Sequence, residues 1–461
     1  MLPTIVHIVP KSRVRIDPIL IDGHERRGNN GRRVDVTRCR MSGPMESADL
    51  AAIVVFLAAL IGCINHLWIR LPPTIGVLVG SLVLSLLIVS SDRVFHLHIM
   101  SWFRRTLDAA NFPNLFLDGA LALLLFAGSL HVDLAELSQR RWMILRLATG
   151  SVILSTVVFG FGMWAIFILL GAAVPLAWCF VLGAILAPTD AVVLDKLLRQ
   201  VILPSGLRGA LVGESLFNDG AGVVLFLIAL RVTQGESISI GHGQIIAALI
   251  REIAGGAALG FVAGWLAGRV MRVIKDDGLQ LMISLAVALG CYRLANWSDV
   301  SGPIAVVTAG LCIGSRLPSS SSGSGTRSAL VGFWPLLDQF LNMMLFLLIG
   351  LQILGLSIQP AELLEAACAI PLAIASRMLS VAIPWGITRD SLRDKARGVA
   401  VLTWAGLRGG ISVALALTLP ASSWRSDLLL ACYAVVVFTI VVQGLTMPAF
   451  LRAVYGTTRP D

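Results

Sequence analysis

Three carboxylates sit inside apolar stretches of this chain: Asp190 in VPLAWCFVLGAILAPTDAVVL, and Glu214 and Asp219 in SGLRGALVGESLFNDGAGVVLFLIALRV. Ionisable groups at hydrocarbon depth are rare and costly, and they mark functional sites. On a helix, Glu214 and Asn218 share one face and Ser215 and Asp219 the adjoining one, so two oxygen-bearing stripes run side by side. Pro188 precedes Thr189 and Asp190, removes a backbone donor and disrupts the turn before it, which frees carbonyls near Thr189. Hard cations such as Na⁺ prefer oxygen ligands. A broken helix beside an acidic one therefore suggests a cation site.

Charge counting adds a second argument. With the other basic residues assigned to loops, span ends or the N-terminal extension, Arg377 and Arg408 remain deep in the spans, and against the three carboxylates they leave one net negative charge. Asp118, Asp195 and Asp338 are placed nearer the interfaces and stay outside this count. An uncompensated charge in a low-dielectric interior is expensive, so the embedded site should take up one proton or one monovalent cation. Competition between those two ligands suffices for exchange. The run Gly406-Leu407-Arg408-Gly409-Gly410 offers a second break with a fixed positive charge in it. Two interrupted segments, one in each half, are the pattern of a transporter site at a repeat interface. Asp338 and Asn342, in PLLDQFLNMMLF, stay open between helix packing and a gating role.

The elements that must hold these residues follow from composition. Hydrophobic residues make up 56% of 461 positions and charged ones 14%, with a mean hydropathy of +0.84, which excludes a soluble domain and a disordered chain. Apolar runs of ~20 residues cross ~30 Å of hydrocarbon as helices, and these runs are too long and continuous for barrel strands. The fold expected is an all-α polytopic membrane protein with about 13 transmembrane helices. The spans centre on residues 50–69, 72–90, 113–131, 147–170, 174–194, 205–232, 245–270, 278–295, 302–315, 330–356, 361–387, 396–419 and 427–451. Trp68, Trp102, Trp142, Trp178, Trp297, Trp334, Trp385 and Trp424 fall near span ends, as interface anchors do. The glycines of AGGAALGFVAGWLAG point to close helix packing.

Loops taken alternately carry 18 Lys and Arg on the side that includes the C-terminus and 7 on the other. The richer side should be cytoplasmic, which places the N-terminus outside. The basic extension 1–45 opposes that reading, with nine cations and no apolar region of the signal-peptide kind. A true start at Met41 or Met45 resolves the conflict, and a disordered basic arm is the alternative. No aromatic-interleaved basic patch supports nucleic-acid binding. The seven cysteines show no CxxC spacing and the seven histidines no metal-ligand spacing, so no cofactor is expected. Ser319 to Gly325 reads as a flexible loop.

Six stretches, APTDAV, GESLFNDG, FLLIGLQI, the arginine of ASRMLSV, LRGGISVALALTLP and VVQGLTMPAF, resemble the cation:proton antiporter-1 family, which includes NhaP-type bacterial Na⁺/H⁺ antiporters and the eukaryotic sodium/hydrogen exchangers. The resemblance runs from about Leu50 to Arg452. It implies that Asp219 alternately binds cation and proton, that Asp190, Ser215 and the Thr189 carbonyl complete a Na⁺ shell, and that Glu214 stands close by. Asn218 occupies the place of an acid in electrogenic relatives, which implies electroneutral exchange. Arg408 would pair with Glu214, while Arg377 would hold a helix end or a neighbouring acid. The implied fold has two inverted repeats with broken helices crossing in a core. Interface helices would span 50–131, core halves 143–232 and 361–452, and linker and interface helices 245–356. The implied protein is a homodimer in the lipid of a bacterial inner membrane, exchanging Na⁺, or Li⁺ or K⁺, for H⁺.

Two other classes are weighed against this. An intramembrane enzyme needs a nucleophile and base or a metal motif, and Ser215 has neither a G-x-S-x-G setting nor a histidine in its segment. A cation channel needs a continuous hydrophilic path or a filter loop. A single deep site flanked by broken helices fits alternating access better.

Overall fold

In the computed structural model every described element is helical. The residues described are 47–95, 119–130, 132, 141–190, 205–234, 242–274, 276–315, 326–352, 354, 360–387 and 391–456. The basic extension, the serine-rich stretch Ser319 to Gly325 and the end of the fifth expected span lie outside them. Contacts gather Met45–Asp461 into one unit.

The first helices are α1 (Ser47–Ile64), α2 (Pro73–Phe95), α3 (Leu121–Leu130), α4 (Val152–Leu170), α5 (Leu176–Ile185) and α6 (Ser205–Thr233). A short helix, Arg141–Leu145, and a π-helical turn, Arg146–Ser151, lead into α4. Then follow α7 (His242–Val273), α8 (Asp277–Trp297), α9 (Gly302–Gly314), α10 (Thr326–Gln352) and α11 (Pro360–Gly386). The chain ends in α12 (Leu392–Trp404), α13 (Gly410–Leu417), α14 (Arg425–Phe438) and α15 (Gly444–Tyr455), with a π-helical turn, Thr439–Gln443, joining the last two. Among the described residues, nine helical segments are long and apolar enough to cross a membrane, and α3, α5 and α9 are shorter apolar helices. Each of the thirteen expected spans contains a helix once α12 and α13 are taken as one interrupted span and α14 and α15 as another.

Local chemistry sets the helix starts. Asp276 accepts from the Leu279 N–H at 2.7 Å to open α8, Ser301 from Ile304 with Pro303 in the first turn of α9, and Ser391 from Asp394 at the start of α12. Interhelical packing then uses small residues. Cβ atoms added at Gly256, Gly260 and Gly264 of α7 would run into the carbonyl oxygens of Ser301, Ala305 and Ala309, the close backbone approach that membrane helices exploit. Ser85 of α2 donates to the Gly350 carbonyl of α10 at 2.8 Å.

One large core cluster joins α4, α5, α6, α11, α12, α13, α14 and α15, and a second joins α3, α7, α8 and α9 with parts of α6 and α10. Trp68 and Trp297 are 81% and 85% exposed at helix ends, as anchors should be. Trp334 and Trp385 correct the sequence reading. Both are buried, and Trp334 donates from Nε1 to Ser284 Oγ at 3.2 Å while packing on Phe126; these are core side chains rather than interface anchors.

Candidate cation site

The backbone breaks where the sequence places its two interruptions. After α5 the chain turns at Leu186 and Ala187 and passes Pro188 to reach Thr189 and Asp190. After α12 it tightens through Ala405, Gly406 and Leu407 before α13 begins at Gly410. The breaks meet. The Asp190 N–H donates to the Leu407 carbonyl at 2.7 Å. Arg408 reaches the opposite way, its Nη1 donating to the Ala187 and Pro188 carbonyls at 2.6 and 3.0 Å. The Arg408 N–H is taken up by Thr439 Oγ1 at 3.2 Å, which the π-helical turn of the last span carries; such turns recur at functional sites. These bonds give backbone groups at the breaks partners on other elements and tie the two crossing interruptions together.

The third wall is α6. Asn218 bonds Thr189 twice, from Nδ2 to Oγ1 at 2.6 Å and through Oδ1 to the N–H at 3.4 Å. Ser215 donates from Oγ to the Thr189 carbonyl. Four residues separate Asp219 from Ser215, so it rises from the same stripe of α6.

Together these elements line a cavity of about 80 Å³, well above the ~10–15 Å³ that one ordered water needs. Its polar lining is Thr189, Asp190, Ser215, Asp219, Asn342 and Ser412. Asp219 makes no hydrogen bond or ion pair with any described residue, and Asp190 is its electrostatic neighbour, a like charge. The first turn of α13, Gly410 to Ser412, faces the same space and presents the positive end of a helix to the carboxylates. A Cβ at Gly409 would strike the Asp190 carboxylate, so that approach needs glycine.

The Arg408 assignment differs from expectation, while Arg377 holds a neighbouring acid and a helix end. Glu214 does not pair with Arg408: it is held by Arg377, through a bidentate bridge whose Nη2–Oε2 arm is 2.9 Å and whose other arm joins Nη1 to Oε1. Both side chains are buried, at 4% and 1% exposure. Arg377 Nε also reaches the Leu402 carbonyl near the end of α12 at 3.4 Å. Arg408 instead satisfies the Ala187 and Pro188 carbonyls at the break, so those two oxygens serve the protein rather than an ion.

Two polar groups escaped the sequence reading. Ser412, 1% exposed, lines the cavity with an Oγ that no described residue engages; ISVALAL gives no signal for it. Glu365, 4% exposed, lies on α11 near Asp427 of α14 with its Oε2 unpartnered among the described residues.

A family model described as sodium/hydrogen exchanger, transmembrane, matches residues 53–453. The chain belongs to that family. Na(+)/H(+) antiporter NhaP of Pseudomonas aeruginosa is 36% identical over 416 residues, covering 88% of this exchanger and 97% of that protein. Na(+)/H(+) antiporter NhaH of Halobacillus dabanensis is 31% identical over 335 residues, 72% and 81% of the two chains. The solved structure of the sodium proton antiporter MjNhaP1 from Methanocaldococcus jannaschii superposes with a TM-score of 0.67 at 18% identity, covering 89% of this exchanger and 99% of that chain. The exchanger is thus an integral membrane protein with the NhaP fold, and its class of activity is cation/proton exchange.

Proposed function

We propose that the chain exchanges a monovalent cation, Na⁺ with Li⁺ and K⁺ as alternatives, for H⁺ by alternating access, electroneutrally, with both ligands competing for Asp219. One observation carries this reading. Among the described residues, Asp219 faces the cavity without a counter-charge, while one embedded arginine is committed to Glu214 and the other to backbone carbonyls. Glu214 and Arg377 cancel, so Asp190 and Asp219 with Arg408 leave one negative charge for a ligand to neutralise. Asp190 and the Ser215 hydroxyl, with the Thr189 carbonyl behind it, supply the oxygens that hold the cation. The names of the relatives, Na(+)/H(+) antiporters, favour Na⁺.

The competition has a signature in pH. Transport in vesicles should be bell-shaped, because protons exclude the cation on the acid side and on the alkaline side no proton returns. Raising the cation concentration should shift the acid limb to lower pH; a limb that ignores cation concentration excludes a single shared site.

The same reading assigns the crossing segments, 143–232 and 361–452, to a mobile core, and 50–131 with 245–356 to a homodimer interface set in lipid. The loop charges put the C-terminus in the cytoplasm of a bacterial inner membrane, with the N-terminus outside. A C-terminal reporter that works only in the cytoplasm should be active, and periplasmic activity there overturns the orientation.

A further inference from the structure

The cavity wall supplied by α10 carries Asn342, which is 3% exposed. Its Nδ2 donates twice to the preceding turn, to the Asp338 backbone carbonyl at 2.9 Å and to the Asp338 carboxylate Oδ1 at 3.2 Å. Those bonds assign the two ends of the amide. With both N–H groups directed at Asp338, the carbonyl oxygen is the end left for the cavity, and no described residue donates to it. An amide oxygen on the cavity wall is a hard ligand, and a cation is the partner that this cavity can hold.

We propose that Asn342 is a further cation-coordinating residue, presented from α10, and that Asp338 is the positioning residue that keeps its oxygen on the ion. The inference rests on the reading that Asp190 and Asp219 hold the cation. It adds a ligand from a helix that packs chiefly along α2, outside the crossing segments, so bound cation is shared between those segments and α10. A proton on Asp219 needs no ligand from Asn342. The two substrates therefore differ in their dependence on this residue, which makes Asn342 a determinant of cation against proton.

The test is exchange in proteoliposomes, with cation concentration and pH varied together for Na⁺ and Li⁺. Asn342→Ala should raise the cation KM about tenfold with little change in maximal rate. Its acid limb, extrapolated to zero cation, should stay where the unaltered protein has it. Asp338→Leu should raise KM in the same direction, Asp338→Asn should recover most of that loss because it keeps an acceptor, and the double variant Asp338→Leu with Asn342→Ala should be no worse than Asn342→Ala alone. An unchanged KM in Asn342→Ala, a shifted proton limb, or an Asp338→Leu effect that adds in full overturns the proposal. Should Asn342→Ala not accumulate as folded protein, Asp338→Leu, which keeps the amide and removes the carboxylate that positions it, carries the test; an unchanged KM there overturns it equally. Asp219→Asn is measured alongside. Persisting exchange in that variant defeats the underlying site, whereas silent Asp219→Asn with an unchanged KM in Asn342→Ala defeats this inference alone.

Discussion

Asp219→Asn should abolish cation/proton exchange down to the background leak while the protein still inserts and purifies as a folded species. The side chain makes no contact on which the fold depends, since no described residue bonds its carboxylate, and asparagine preserves its shape. The change removes the single group able to bind a cation in one half-cycle and a proton in the other. Its effect should therefore fall on turnover at every pH and every cation concentration, with thermal stability close to that of the unaltered protein. Asp190→Asn should act differently, weakening cation affinity more than it alters the proton limb, because Asp190 contributes to the shell without carrying the proton. Vesicle assays of cation-dependent ΔpH dissipation, read beside a melting curve, separate the two; exchange surviving in Asp219→Asn would remove the proposed mechanism.

The second large effect belongs to Glu214 and Arg377. Neutralising one partner leaves the other charge buried and unpaired, at a cost of ~3–5 kcal/mol by comparison with other buried pairs. That is a large fraction of the ~5–15 kcal/mol that holds a typical domain folded. Glu214→Gln or Arg377→Met alone should thus lower the yield and melting temperature steeply, and the double substitution should be milder than either. The cycle should give a large coupling energy. Pairing Glu214→Gln with a change at Arg408 should give no such recovery, because Arg408 bonds the Ala187 and Pro188 carbonyls instead. Strict additivity between Glu214 and Arg377 would show that the bridge is not what stabilises them.

The thirteen spans could be read from the chain because hydrocarbon thickness sets a length that apolar runs either meet or do not. The breaks at Pro188 and at Gly409-Gly410 could be read because they rest on the local chemistry of proline and glycine. What stayed hidden depends on which helices cross. Glu214 and Arg377 lie 163 residues apart, and nothing local distinguishes Arg377 from Arg408 as the partner. Trp334 lies near a span end by position, yet α8 covers it and supplies Ser284 for its N–H. Glu365 is buried because α14 packs on α11, a contact that local sequence does not show. Ser412 and the orientation of the Asn342 amide are matters of side-chain direction, which spacing does not reveal.

The central claim is that cation and proton exchange places on Asp219, and proton release measures that event without a membrane gradient. Purified protein in lightly buffered detergent solution, titrated with NaCl and separately with choline chloride, should release close to one proton per cation bound at pH values on the acid limb. The release should vanish in Asp219→Asn. Cation binding without proton release on that limb, or undiminished release in Asp219→Asn, would contradict the account.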